Sequence, residues 1–213
     1  MDATCEDMQF TRPELLLLDL GGVIIDIDFS RAFRAWQPIS TLSLDKIAER
    51  FTFDVPYQRH ERGEITAAAY FEHLRSSLSL SGDDARLLEG WNSIYIGEIP
   101  ETVALIRSAR KELPCHAFTN TNAAHQAAWS AQFPSVTRLF GRIFASHEIG
   151  RRKPEREAFE HIGSTLGMRL DSIMFFDDLL ENVEGARSAG LQAVHVRSPR
   201  DVRHALEAIG CAL

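Results

Sequence analysis

Four consecutive leucines run into an aspartate and two glycines in the stretch ELLLLDLGGVIID, Glu14 to Asp26. A continuous apolar run of this kind marks a strand buried on both faces, which belongs to a parallel sheet covered by helices rather than to a sheet with one wet side. Asp19 breaks the run, so a carboxylate sits where the strand pattern calls for another apolar residue. On its own it reads as a turn cap after the strand. The run Leu15 to Ile25 is also far short of the roughly 20 apolar residues that span a bilayer, so no membrane partner is expected.

Further along, short apolar runs that end in polar residues alternate with helical spacing. The runs are LLLLDL (15–20), CHAFTN (115–120), RIFAS (142–146), IMFFDD (173–178) and QAVHV (192–196); helical patterns cover 101–112, 122–131, 155–167, 181–189 and 199–209. This alternation predicts repeated βα units and an α/β fold with a parallel sheet. The stretch from 30 to 95 differs, with apolar residues at three- and four-residue spacing in RAFRAW, LDKIAERF, TAAAYFEHLRSSL and DDARLLEGWNSIY and no strand pattern. It reads as an inserted helical module, with Ser30, Ser43 and Ser81 or Asp83 as helix caps. The organisation expected of the 213 residues is therefore a core, 1–29 and 96–213, interrupted by a helical insert, 30–95.

Thirty acidic against 23 basic residues give a formal charge of −7 without a basic tract, so there is no electrostatic footprint for nucleic acid. Cys5, Cys115 and Cys211 are odd in number and far apart, which fits reduced thiols in a cytoplasmic protein better than a disulfide framework or a zinc site. The acidic opening MDATCEDMQFTRP lacks the pattern of a signal peptide, so no export is expected. Oligomeric state is not legible.

Open parallel sheets bind ligands just beyond the carboxyl ends of their strands. Those ends are distinctive: Asp19 after the first run, Thr119 and Asn120 after the second, Asp177 and Asp178 after the fourth, and Lys153 in RRKPE before a helix begun by Pro154. LLLLDLGGV, AFTN, RRKP and IMFFDDLLEN, in that order and with a helical insert after the first, resemble the four motifs of the haloacid dehalogenase superfamily. DLGGVIIDIDFSRAF, HERGEIT and RRKPE are similar to its sugar-phosphate phosphatases, close to α-glucose-1-phosphate phosphatase and the N-terminal domain of soluble epoxide hydrolases.

The resemblance implies a Rossmann-like core with a helical cap, and a phosphomonoesterase acting on a small phosphorylated metabolite, with a sugar phosphate as the expected substrate. It implies Asp19 as the nucleophile that forms an aspartyl-phosphate. Mg²⁺ would be held by Asp19, the Gly21 carbonyl and Asp178, with Asp177 a direct or water-mediated partner. Thr119 and Asn120 would contact phosphate through a hydroxyl and backbone N–H groups, Lys153 would neutralise charge, and Asn182 would orient the metal-site loop. Read without the resemblance, the same residues are helix caps, a solvated lysine and an acid-rich helix start. One position departs from the pattern: Gly21 stands where most phosphatases of the superfamily carry an aspartate acting as general acid and base. His60, Glu61, Asp26, Asp28 or solvent are candidate replacements. A metal-independent 2-haloacid dehalogenase and a non-catalytic binding protein are the alternatives, the first opposed by the acidic pair Asp177–Asp178.

Overall fold

The structure is a computed structural model that describes residues 10–213; Cys5 and the rest of the acidic opening through residue 9 lie outside them. Five parallel strands form the central sheet: β1 (Leu15–Leu18), β4 (Cys115–Thr119), β5 (Ile143–Ala145), β6 (Ile173–Asp177) and β7 (Gln192–His195), in the order β5-β4-β1-β6-β7. Leu16 to Leu18 of β1 pair with Cys115 to Ala117 on one side, and Leu15 to Leu18 pair with Ile173 to Phe176 on the other. The connections leave β1 in opposite directions at this point, which is where such sheets open a crevice.

The four leucines are buried on both faces, as an apolar run without alternation requires. Leu16 and Leu18 enter one core cluster with Ala117, Met174 and Phe176. Leu15 and Leu17 enter the opposite one with Phe118, Phe159 and Phe175. The two-residue period of the strand divides one continuous run between two cores. Helices α6 (Pro100–Ala109) and α12 (Pro199–Ala208) cover the first face, while α10 (Arg156–Leu166) and α11 (Leu180–Ala189) cover the second. All five expected sheet strands are present, within a residue or two of the apolar runs.

Between residues 28 and 94 lie five α-helices, α1 (Phe29–Trp36), α2 (Leu44–Arg50), α3 (Val55–Glu61), α4 (Ala67–Leu78) and α5 (Asp84–Asn92). They enclose a third core cluster of their own, centred on Trp36, Tyr70, Leu74 and Trp91. The indoles of Trp36 and Trp91 stack at 6.0 Å. Gly90 permits this, because a Cβ there would fall 2.2 Å from the Trp36 Nε1.

Three details depart from the sequence reading. Helix α1 is capped by Asp28, whose carboxylate accepts from the Ser30 N–H at 2.8 Å, rather than by Ser30; Ser43 and Asp83 do cap α2 and α5. A two-stranded antiparallel ribbon, β2 (Ile25–Ile27) with β3 (Tyr95–Glu98), carries the chain out to these helices and back, and neither strand is among those expected from the sequence. Helix α10 starts at Arg156 instead of Pro154, because both backbone groups of Lys153 are already bonded to Asn120.

Candidate active site

Asp19 follows β1 directly, Thr119 closes β4, and Asp177 closes β6 with Asp178 next. Since β1 lies between β4 and β6, chain topology alone brings these side chains together. Carboxylate oxygens of Asp19, Asp177 and Asp178 lie within 4.8 Å of one another. Three acids this close repel, and Lys153 answers part of that charge. Its ammonium is fully buried and donates to Asp19 Oδ1 at 2.9 Å, Asp177 Oδ2 at 2.7 Å and the Phe118 carbonyl at 2.9 Å. All three ammonium protons are thereby used.

The lysine is held in turn by Asn120. The Asn120 amide donates to the Lys153 carbonyl and accepts from the Lys153 N–H, each at 2.9 Å. The side chain of Asn120 is therefore spent on positioning Lys153. The Asp177 carboxylate is similarly engaged: Oδ1 accepts from the Leu179 N–H and the Asn182 Nδ2, both at 2.9 Å, and Oδ2 accepts from Lys153. Asn182 is buried and orients Asp177.

Asp178 is different. Its carboxylate meets only its own backbone N–H among the described residues, and its pKa is pushed up to about 6, chiefly by burial and next by Asp177. Asp19 rises to about 8, again chiefly by burial, with Lys153 opposing the shift. Burial without enough positive charge drives both shifts. The net charge of the cluster, three carboxylates against one ammonium, together with its all-oxygen donor set, suits a hard divalent cation. Gly22 makes the approach of Asp178 possible. Its φ is +71°, and a Cβ there would sit 2.3 Å from Asp178 Oδ2.

A cavity of about 270 Å³ opens over this cluster, and Asp19, Gly21, Thr119, Asn120, Asp178 and Asn182 line its floor. Gly21 needs no special backbone angle, and a Cβ on it would meet only the terminal methyl of Ile27, at 3.0 Å. Of the candidate acids, Glu61 lines the cavity and His60 does not. The His60 ring stacks on Tyr70 at 4.8 Å, with Nδ1 at 3.3 Å from the Ile65 carbonyl, and burial lowers its pKa. Asp28 is occupied as a helix cap, and Asp26 is exposed and outside the cavity lining.

Glu61 accepts from Arg152 Nε at 2.8 Å, and the adjacent Arg62 pairs with Glu155. Two ion pairs of opposite sense thus clamp the end of α3 to the loop that carries Lys153. Gly63 allows the close approach, since a Cβ there would fall 2.5 Å from the His147 carbonyl. Sequence reasoning missed Phe53, Tyr57, Arg152 and Leu179 as cavity residues. Only Arg152 carried a signal, as the neighbour of Lys153. Tyr95 also lines the cavity, while Trp91 is core.

A family description, haloacid dehalogenase-like hydrolase, matches residues 13–190. Phosphatase MT3486 of Mycobacterium tuberculosis is 26% identical over 187 residues, covering 84% of each chain. Sesquiterpene phosphatase astK of Aspergillus oryzae is 25% identical, covering 84% of this chain and 88% of its own. Among solved structures, a HAD family enzyme of Bacteroides thetaiotaomicron in complex with magnesium and inorganic phosphate superposes with a TM-score of 0.74 at 27% identity, over 85% of this chain and 92% of that one. The order of the strands, the residues at their carboxyl ends and these matches agree: the chain belongs to the haloacid dehalogenase-like hydrolase family.

Proposed function

We propose that this protein is a Mg²⁺-dependent phosphatase that hydrolyses the phosphate monoester of a small metabolite, using Asp19 as nucleophile, the 30–95 helices as a cap and the cytoplasm as its setting. The observation that carries the reading is the placement of Asp19: it follows the central strand, 2.9 Å from a buried lysine, within an acidic cluster that floors a cavity. Its relatives named phosphatases, and a magnesium and phosphate complex of a similar fold, support it. The buried free thiols of Cys115 and Cys211 fit a reducing compartment.

Asp19 Oδ1 is pinned by Lys153 and by the Leu20 N–H at 2.7 Å, whereas Oδ2 has no such donor. Oδ2 is therefore the oxygen with lone pairs free for phosphorus. Its attack forms the Asp19–phosphorus bond and breaks the ester bond, and the departing alkoxide takes a proton from solvent. Water then attacks phosphorus, releasing inorganic phosphate and restoring the carboxylate. Asp19, Asp178 and the Gly21 carbonyl would hold Mg²⁺, which supplies the positive charge that lets a carboxylate approach a phosphate dianion. Lys153 opposes the rise that burial imposes on the Asp19 pKa, so it favours the ionised carboxylate, and it aims that carboxylate. Thr119 and the Asn120 N–H bind phosphate oxygens, while Asp177 and Asn182 act by fixing Lys153 and the loop.

Asp19→Asn should abolish phosphate release while leaving the circular dichroism unchanged, and native enzyme quenched during turnover should carry a phosphate adduct on Asp19. Asp178→Ala should lose Mg²⁺-dependent activity with little effect on stability, because no other described residue bonds to its carboxylate. Turnover by Asp19→Asn, or halide release from a 2-haloacid that persists in EDTA, would overturn the reading. A sugar body is the substrate expected from the sequence; the relative called sesquiterpene phosphatase shows that a phosphatase of this size need not take one.

A further inference from the structure

We infer that the alcohol part of the substrate is apolar: the site takes the monophosphate of a small hydrocarbon or ring alcohol in preference to that of a polyol. This inference rests on the phosphatase reading and narrows it. Above the polar floor, the cavity walls are Ile25, Ile27, Phe29, Phe53, Tyr57 and Tyr95. Phe53 lies 5.6 Å from Phe29 and 4.8 Å from Tyr57 between ring centroids, so three rings form one aromatic wall. Trp129 and Leu179 face it from the sheet side.

Four of the polar side chains that line the cavity have polar atoms committed elsewhere. Asn120 is bonded to the Lys153 backbone, Asn182 to Asp177, Arg152 to Glu61, and His125 Nε2 to the Trp91 carbonyl at 3.0 Å. A polyol entering this space would give up its bonds to water and find few new ones, a penalty that a hydrocarbon body does not incur. Glycine at position 21 removes one more polar group from the lining.

The mouth carries the same signature. Phe53 and Leu179 line the cavity from the helical and sheet sides, and they remain 52% and 51% exposed. Large apolar side chains left in water at the rim of a pocket mark a surface made to be covered. A cavity of about 270 Å³ lies at the small end of ligand pockets, which suits a phosphoryl group carrying a short hydrocarbon chain or a single ring.

The test compares esters whose leaving groups are all primary alcohols, so that leaving-group chemistry does not intrude. With Mg²⁺ present, kcat/KM for hexyl phosphate should exceed that for glucose 6-phosphate at least tenfold, and should rise from ethyl through butyl to hexyl phosphate by up to about fourfold per buried methylene. Phe53→Ser should narrow the hexyl-to-glucose ratio several-fold; its half-exposed position makes the substitution compatible with folding. Calorimetric binding of hexylphosphonate against the phosphonate analogue of glucose 6-phosphate, neither of which can be hydrolysed, should show the same order. Equal or reversed preference would overturn the inference while leaving the phosphatase reading intact. If no ester is cleaved, that reading fails, and the binding arm still decides the character of the pocket.

Discussion

Lys153→Met tests the central electrostatic claim, that one buried ammonium holds two of the three site carboxylates in place. Methionine fills a similar volume without charge. In the native protein, burial by itself disfavours the ammonium, but Asp177 and Asp19 outweigh it and its pKa ends above the ordinary value. Removing it leaves a fully buried Asp177 and a nearly buried Asp19 without their shared cation, and the Phe118 carbonyl without a donor. Breaking a buried ion pair from one side costs about 3–5 kcal/mol. Against a typical total of about 5–15 kcal/mol the protein should still fold. At about 2–4 °C per kcal/mol for a chain of this size, Tm should fall by roughly 6–20 °C. Urea denaturation in EDTA, followed through Trp36, Trp91 and Trp129, measures the loss directly. The companion variant is Lys153→Met with Asp177→Asn, which removes the charge left stranded and should recover about 1–3 kcal/mol relative to additivity. A loss under about 1 kcal/mol, or strictly additive effects, would refute the idea that the lysine is the counter-ion of this cluster.

Gly22→Ala should cost about 1–2 kcal/mol from the left-handed backbone alone. It should reduce Mg²⁺-dependent activity far more than that loss of stability explains, since its Cβ would displace the Asp178 carboxylate; wild-type activity with a normal Mg²⁺ midpoint would contradict this role for Gly22. Gly21→Asp should fit after a small shift of the Ile27 methyl and should speed alkyl phosphates more than aryl phosphates, by part of the ~10²–10⁴-fold that general acid–base groups contribute. If Gly21→Asn matches it while both variants bind Mg²⁺ normally, the missing acid does not limit the rate.

The sheet was legible because its strands are buried on both faces, and burial of that kind leaves a mark that does not depend on context: LLLL and IMFF have no polar alternation to misread. The clustering of the candidate site residues was legible for a related reason, since a parallel sheet fixes where strand ends meet and the polar residues there interrupt apolar runs. The ribbon of β2 and β3 escaped because its seven residues include Asp26, Gly97 and Glu98, and its pairing joins segments some 70 positions apart that only the fold aligns. Asp28 and Ser30 compete for one cap, and the sequence does not say which backbone N–H will lack a partner. The side-chain hydrogen bonds of Asn120 and Asp177 were not legible in the sequence. Both residue types could contact ligand or metal, and only the hydrogen-bond geometry shows that their polar atoms are already committed to Lys153, Leu179 and Asn182.

The segment RHERGE shows how one stretch can carry a misleading and a correct signal together. Its histidine and glutamate are the residue types that acid–base chemistry needs, which drew attention to His60 and Glu61. The structure turns His60 into the stack on Tyr70 and gives Glu61 two settings at once, a place in the cavity wall and a partnership with Arg152. Burial raises the Glu61 pKa while Arg152 opposes the rise. A carboxyl balanced in this way keeps its proton more readily than an exposed one, yet it can serve as an acid only by loosening the ion pair that joins α3 to the Lys153 loop. Arg62 and Glu155 form the second pair of the same clamp, so that joint would not be lost with the first. Helix α3 and the loop that carries Lys153 are therefore joined through charged residues that the sequence presents as four separate polar positions.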